Sequence, residues 1–264
     1  MMELENYHAF HFVGLGGVGM CALARILIEK GITVSGSDVS DSAVLQELRN
    51  KGAAVFIGHK RENINNADVL VVSSAIGIDN PELQEAKSRD LPIFHRSDVL
   101  AAIFKWGKGI AVAGAHGKST TSAMIGQIFH VAKMDPTIVL GGFTDYLKGN
   151  SCLGHGEHII AEADESDGSF LKFATFLSVV TNIEDDHLDH YGTVENIRKA
   201  FVEFLNHVTY KDGGAIVCID SEGVQAILPQ IKKKVISFGI NDSAEYRAVN
   251  KRYEKQNMLF DVYH

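Results

Sequence analysis

Short apolar runs alternate along this chain with longer stretches whose apolar residues recur at helical spacing. Residues 8–13, 32–36, 53–57, 68–73 and 91–95 read as strands, the fourth carrying a continuous Val-Leu-Val-Val run. Residues 20–30, 42–51, 80–89 and 96–104 read as the helices between them, with Gly31 placed to cap the first. Such alternation predicts a parallel sheet flanked by helices.

The rhythm resumes further on. Residues 110–113 form a strand and 122–132 a helix; strands follow at 137–140, 158–161, 177–181, 215–219 and 235–238, and helices at 194–208 and 222–231. Residues 150–156 are polar and glycine-bearing, and read as loop. From Ala244 the period shortens: residues 246–253 and 258–263 read as two strands about a turn at 254–257, a terminal β-hairpin. Lys108-Gly109 is the expected boundary, separating a domain over residues 1–107 from one over 108–264.

Composition narrows the field. The 264 residues are 45% hydrophobic and 22% charged, ordinary globular material. A net charge of −8 argues against a nucleic-acid footprint, which needs a basic patch. No apolar run is long enough to span a bilayer, and the start, Met-Met-Glu-Leu-Glu-Asn, lacks a signal core. Cys21, Cys152 and Cys218 lie far apart with neither disulfide nor zinc spacing, so the expectation is a cytoplasmic protein with reduced thiols. Nothing in the sequence speaks to oligomeric state.

Two glycine loops carry the candidate chemistry. The first strand runs into Gly14-Leu15-Gly16-Gly17-Val18-Gly19, a G-x-G-x-x-G ahead of a helix, with Asp38 at the end of the next strand. Glycines there permit a tight turn and close approach of a diphosphate to a helix N-terminus. The same residues also serve a turn that only packs helix on strand, and Asp38 could instead cap the following helix with Ser40. Ser73, Ser74 and Ala75 form a small-residue loop at another strand's carboxyl end, the edge where open α/β sheets bind ligands. Arg96 could meet a phosphate or carboxylate there, or stay solvated.

The second loop is Gly114-Ala115-His116-Gly117-Lys118-Ser119-Thr120-Thr121. The strict phosphate-loop pattern asks for a glycine at Val112, so a shorter G-x-x-G-K-S-T-T remains. Its backbone N–H groups and helix dipole suit a phosphate, Lys118 adds a mobile charge, and the Ser119 hydroxyl can ligate Mg²⁺. Downstream, Glu162, Asp164, Glu165 and Asp167 crowd the end of one strand, and Glu184, Asp185, Asp186 and Asp189 follow another, with His187 and His190 among them. Mg²⁺ takes oxygen ligands, usually one or two carboxylates plus phosphates. The first cluster therefore either supplies one or two metal ligands, the rest facing water or capping a helix, or is a solvated acidic loop. For His190 a surface role is favoured. The resulting fold class is α/β: a Rossmann-like parallel-sheet domain followed by a P-loop-type ATPase domain with a terminal β-hairpin.

Together these residues resemble the Mur ligases, most closely the members that join L-alanine to UDP-N-acetylmuramate. The resemblance covers essentially the whole chain. It rests on residues 14–20, 73–76, 114–121, 162–167 and 181–191 in that order and spacing. It implies that the first domain binds UDP-N-acetylmuramate, with the diphosphate over Gly14, Gly16, Gly17 and Gly19 and with Asp38, Ser73, Ser74, Ala75 and Arg96 nearby. It implies that residues 114–120 bind ATP, that Lys118, Glu162 and His187 are catalytic, and that Ser119, Glu162 and His187 hold Mg²⁺. ATP would phosphorylate the lactyl carboxylate, and L-alanine would attack the acyl phosphate. The family usually has threonine where this chain has Ala115 and Ser119. It also has a third, C-terminal domain that closes over the ATP and amino-acid sites, so the chain is expected to be a truncated ligase that binds the nucleotide sugar and turns over poorly.

Other readings remain. A ligase recycling whole peptides onto the same nucleotide sugar differs in its amine acceptor. An NAD(P)-dependent oxidoreductase would use G-x-G-x-x-G and Asp38, but leaves Lys118 and both acidic clusters unexplained. A non-catalytic nucleotide-sugar binding module would bind without turnover.

Overall fold

The structure is a computed structural model that describes residues 2–264. The chain groups into two compact units, Met1–Gly107 with Ala123–Ile160, and Lys108–Ser122 with Ala161–His264.

In the first unit the elements run β1 (Ala9–Val13), α1 (Val18–Glu29), β2 (Thr33–Asp38), α2 (Ala43–Asn50), β3 (Ala54–Ile57), β4 (Val69–Val72), α3 (Pro81–Ser88), β5 (Ile93–His95) and α4 (Arg96–Ile103). The five strands form a sheet in the order β3-β2-β1-β4-β5, parallel throughout. The order reverses direction next to β1, which places the loop after β1 at a crevice at the sheet's carboxyl edge. Central β1 is apolar almost throughout because helices cover both faces of such a sheet: Phe10, Phe12 and Val13 are fully buried. Val13, Ile64, Leu70, Leu83 and Ala86 pack as one cluster, with Ile76 and Ile93 against it.

The chain continues with β6 (Lys108–Ala113), α5 (Lys118–Val131), β7 (Thr137–Thr144), β8 (Gly149–Cys152), β9 (His158–Glu162), β10 (Leu177–Val180), α6 (Leu188–Tyr191), α7 (Val194–Asn206), β11 (Gly214–Cys218), α8 (Glu222–Ile227), β12 (Val235–Gly239), β13 (Tyr246–Glu254) and β14 (Asn257–Tyr263). Two sequence expectations need correction. Helix α5 starts at Lys118, not at residue 122, so the lysine belongs to the first turn. The first three residues of the expected 150–156 loop belong to β8, antiparallel to β7 with Ile138 opposite Cys152. Asn150 explains why so polar a strand is buried: its amide nitrogen donates to Val18 O at 2.8 Å, and its Oδ1 accepts from the Arg25 guanidinium, itself paired to Glu47.

In the second unit, strands run β14-β13-β12-β11-β10-β6, parallel from β6 to β13 and closed by the antiparallel β13–β14 hairpin. Just past β9, Ala163 N–H donates to Val112 O at 2.9 Å, which sets the acidic stretch beside the end of β6. Phe170 anchors that stretch from below, its ring 5.0 Å from Phe204 and 5.3 Å from Phe201 of α7. Among the described residues no helix is long and apolar enough to cross a membrane.

Candidate functional site

The first glycine loop is folded against the end of β2. Gly14 has φ +79°, and both Gly14 N–H and Leu15 N–H donate to Ser37 O at 2.8 and 2.9 Å. Gly16 N–H donates to Asp38 Oδ2 at 2.8 Å, and a methyl group on Gly16 would lie 2.9 Å from that same oxygen. Asp38 thus holds the loop; the cap of α2 is Ser42, which accepts from Leu45 N–H, so the capping alternative for Asp38 with Ser40 does not hold. Helix α1 begins after Gly17 with neither a side-chain cap nor an acidic residue in its first turn, which leaves its positive end open to an anion.

Other expected residues converge there. A methyl group on Gly19 would meet Arg96 Cδ at 3.5 Å and its Nη1 at 3.6 Å, and one on Gly14 would meet Ile76 Cδ1 at 3.4 Å. Ser74 and Ala75 are exposed, Ser73 half-buried, and Ser74 Oγ lies 3.1 Å from His95 Nε2.

Beneath this loop is a polar cluster that the sequence did not announce. Glu82, fully buried in the first turn of α3, accepts from Ser37 Oγ at 2.5 Å and Asn63 Nδ2 at 2.6 Å. His11 Nε2 and His59 Nδ1 lie 3.5 and 3.4 Å from Oε2, the oxygen that also accepts from Ser37. Burial pushes the Glu82 carboxyl upward, but the nearby His11 imidazole and the hydrogen bonds from Ser37 and Asn63 outweigh it and leave the group below its ordinary value.

The second loop joins β6 to α5. Gly114 has φ +132° and Gly117 φ +85°; a methyl group on Gly114 would sit 2.3 Å from Thr181 Oγ1. Two residues at the end of β10 grip the turn. Asn182 Oδ1 accepts from His116 N–H at 2.9 Å while its Nδ2 donates to His116 O at 2.9 Å, and Thr181 Oγ1 donates to the same carbonyl at 2.6 Å. His116 itself is exposed and lies 3.5 Å from Glu184. Lys118 curls back over the loop: its Nζ donates to Gly114 O at 2.6 Å, Glu165 Oε1 at 2.8 Å and Ala115 O at 3.4 Å. Thr120 is exposed on α5.

The four carboxylates after β9 divide their work. Glu162 Oε2 accepts from Ser119 Oγ at 3.0 Å. Glu165, 3% exposed, pairs with Lys118 and lies 3.6 Å from His187 Nε2. Asp164 accepts from the backbone and hydroxyl of Ser166, and Asp167 from Ser169 N–H, closing the turn locally. His187 takes a left-handed conformation, φ +55°, just before α6. The structure therefore brings Ser119 to Glu162, and His187 to Glu165. His190 is exposed and packs edge-on against Tyr191. Tyr191 donates its hydroxyl to Glu165 O at 2.5 Å; burial first, then the Glu165, Asp167 and Asp164 charges, push its pKa up to about 12, so it stays a donor.

Among the described residues no three His, Cys, Asp or Glu side chains converge into a ready metal centre. What fits Mg²⁺ is the oxygen pair of Ser119 and Glu162, since that ion takes few protein ligands beside phosphate and water. Sequence reading counted Glu165 among four candidate carboxylates without seeing its pairing to Lys118, and assigned no role to Thr181, Asn182 or Tyr191. The one available signal was a polar pair, Thr181-Asn182, following an apolar strand.

Two family models match the chain: "Mur ligase family, catalytic domain" over residues 9–106 and "Mur ligase middle domain" over residues 112–264. A curated UDP-N-acetylmuramate–L-alanine ligase of Hydrogenobaculum is 45% identical over 263 residues, 100% of this chain and 58% of the relative. The chain thus spans little more than half the length of that relative. The crystal structure of the UDP-N-acetylmuramate–alanine ligase of Thermotoga maritima matches 96% of this chain and 57% of its own, with 28% identity and a TM-score of 0.85. A ligase from Neisseria meningitides that acts on UDP-N-acetylmuramate and L-alanyl-γ-D-glutamyl-meso-diaminopimelate has the same fold, with a TM-score of 0.87, 23% identity and coverage of 97% and 84%.

Proposed function

The chain belongs to the Mur ligase family, and from that premise we propose that it is the nucleotide-sugar and ATP-binding part of a ligase that joins L-alanine to the lactyl carboxylate of UDP-N-acetylmuramate in peptidoglycan precursor synthesis. The observation that carries the reading is the second glycine loop, with Lys118 folded over it and the Ser119–Glu162 pair at its edge. The 45% identity to the Hydrogenobaculum ligase supports the choice of substrates.

The chemistry follows from the groups available. A carboxylate is a poor acyl donor; transfer of the γ-phosphoryl group of ATP to its oxygen creates a leaving group. The amine then attacks the acyl carbon, the C–N bond forms, phosphate departs and the amine loses a proton. In the first step two anions must approach, so positioning and charge neutralisation do most of the work. Loop N–H groups and the start of α5 would cradle the phosphates, and Lys118 would bring its charge to the β- and γ-phosphates. Ser119 and Glu162, with His187 as third ligand, would hold Mg²⁺, which when bound supplies further neutralisation at the transferred group. Thr181 and Asn182 would keep the loop rigid. In the first unit, Gly14, Gly16, Gly17 and Gly19 with Arg96 would seat the diphosphate, and Asp38 would hold the loop that does so.

Calorimetry with UDP-N-acetylmuramate, then with ATP and Mg²⁺, tests the reading, alongside a ligation assay offering L-alanine or a tripeptide. We expect the 264-residue chain to bind the nucleotide sugar and to ligate far more slowly than a full-length relative. Tight NADH binding without nucleotide-sugar binding would overturn the proposal. The Neisseria fold match motivates the peptide-acceptor arm, and preference for tripeptide would move the assignment to a recycling ligase.

A further inference from the structure

Lys118 and Glu165 present an arrangement that phosphate binding by itself does not require. Each N–H of the Lys118 ammonium has a protein acceptor: Gly114 O at 2.6 Å, Glu165 Oε1 at 2.8 Å and Ala115 O at 3.4 Å. The lysine side chain is 21% exposed and that of Glu165 only 4%, so the pair is partly desolvated and its attraction weakly screened. Glu165 cannot follow the lysine elsewhere. Its carbonyl is held by the Tyr191 hydroxyl at 2.5 Å, and it lines a small cavity whose wall includes Ala115, Glu184, Asp186, His187 and Tyr191. Its second oxygen, Oε2, is buried without a hydrogen-bond partner, so Lys118 is the strong donor this carboxylate has.

We propose that Glu165 is a positioning residue that stores the Lys118 ammonium against the phosphate loop, so that a nucleotide triphosphate must win the lysine away from it. This rests on the reading of residues 114–120 as an ATP loop. A charged donor can turn to a phosphate only by loosening its bond to Glu165, and that exchange lowers the loop's affinity for the metal-free nucleotide. The role differs from that of Glu162, which touches the Ser119 hydroxyl and makes its contact on the helix side of the loop.

The test is calorimetric titration of ATP, in EDTA and in Mg²⁺, into the whole 264-residue chain and its variants. Glu165→Gln keeps the shape and one acceptor but removes the charge; metal-free ATP is expected to bind about tenfold more tightly, the size of one lost charge-assisted hydrogen bond. Glu165→Asp, with the charge withdrawn from reach, is expected to tighten binding by less. If Glu165 acts through Lys118, Glu165→Gln placed on Lys118→Met yields no gain. Unchanged or weaker binding in folded Glu165→Gln overturns the proposal, as does an equal gain in the Lys118→Met background, which would mean direct repulsion of phosphate. Loss of folding in both Glu165 variants, followed by thermal melting, also overturns it, because the residue would then be purely structural. Metal-free binding that Glu165→Gln leaves untouched, while ATP with Mg²⁺ still binds, sinks this inference alone; no binding by any variant, with or without Mg²⁺, sinks the ATP reading with it.

Discussion

Glu82 is a charged residue where a core position belongs. It is fully buried yet joins β1, β2, α3 and the segment at residues 59–63 through His11, Ser37, His59 and Asn63. Removing a buried, multiply bonded carboxylate strands several donors at once, so Glu82→Gln is expected to cost about 2 kcal/mol at neutral pH. The pH dependence follows from the direction of the shift. The carboxyl titrates lower in the fold than its ordinary value of 4.5, so its contribution is present above that value and is lost as pH falls through the folded pKa. Thermal melts should show wild-type stability dropping below about pH 4.5, with the drop shallower in Glu82→Gln. Parallel pH profiles would show that Glu82 does not carry the effect.

At the level of elements, the phosphate loop depends on a strand it does not belong to. The segment 114–117 is short and contains two glycines at positive φ, so little in its own sequence restrains it. Restraint comes from the end of β10, parallel to β6 in a register that pairs Val180 with Ala113 and so delivers Thr181 and Asn182 to His116. Asn182→Ala removes both side-chain bonds to the His116 peptide. We expect ATP affinity to fall about tenfold, since two modest hydrogen bonds are lost at an exposed site, with a smaller effect on the melting temperature. An affinity equal to wild type would show that Thr181 alone suffices. Strand β8 makes the same point about context. Gly-Asn-Ser-Cys has no strand signal, and it pairs with β7 because Asn150 finds buried partners in Leu140, Val18 and Arg25.

Across the whole molecule, the two candidate sites are assembled within different compact units. The nucleotide-sugar loop and Arg96 lie in Met1–Gly107; Lys118, Ser119, Glu162, Glu165 and His187 lie in the other unit. Disabling one should therefore spare binding at the other. Lys118→Met is expected to weaken ATP binding about a hundredfold, leaving it measurable, while UDP-N-acetylmuramate affinity stays within about twofold. Gly16→Val, which drives a side chain into Asp38 Oδ2, is expected to do the reverse. A nucleotide-sugar affinity that collapses in Lys118→Met would contradict the separation.

Much of this was legible along the chain, and for local reasons. Apolar periodicity marked the strands and helices, because burial on a sheet or against it imposes that spacing directly. Both glycine loops were recognisable because a side chain is disfavoured at Gly14 by its positive φ, at Gly16 by the close approach of Asp38, and at Gly114 by both a positive φ and Thr181. The order of five motifs led to the family that the matching models then identified. What the chain's pattern could not decide was which polar group meets which. Four carboxylates in one short run look alike in sequence; only the place of β9 beside β6 and the turn after β9 send Glu162 to Ser119, Glu165 to Lys118, and Asp164 and Asp167 into the turn itself. The pairings of Glu162 and Glu165 span tens of residues and depend on strand order, a property of the folded sheet with no local signature in the residues it brings together.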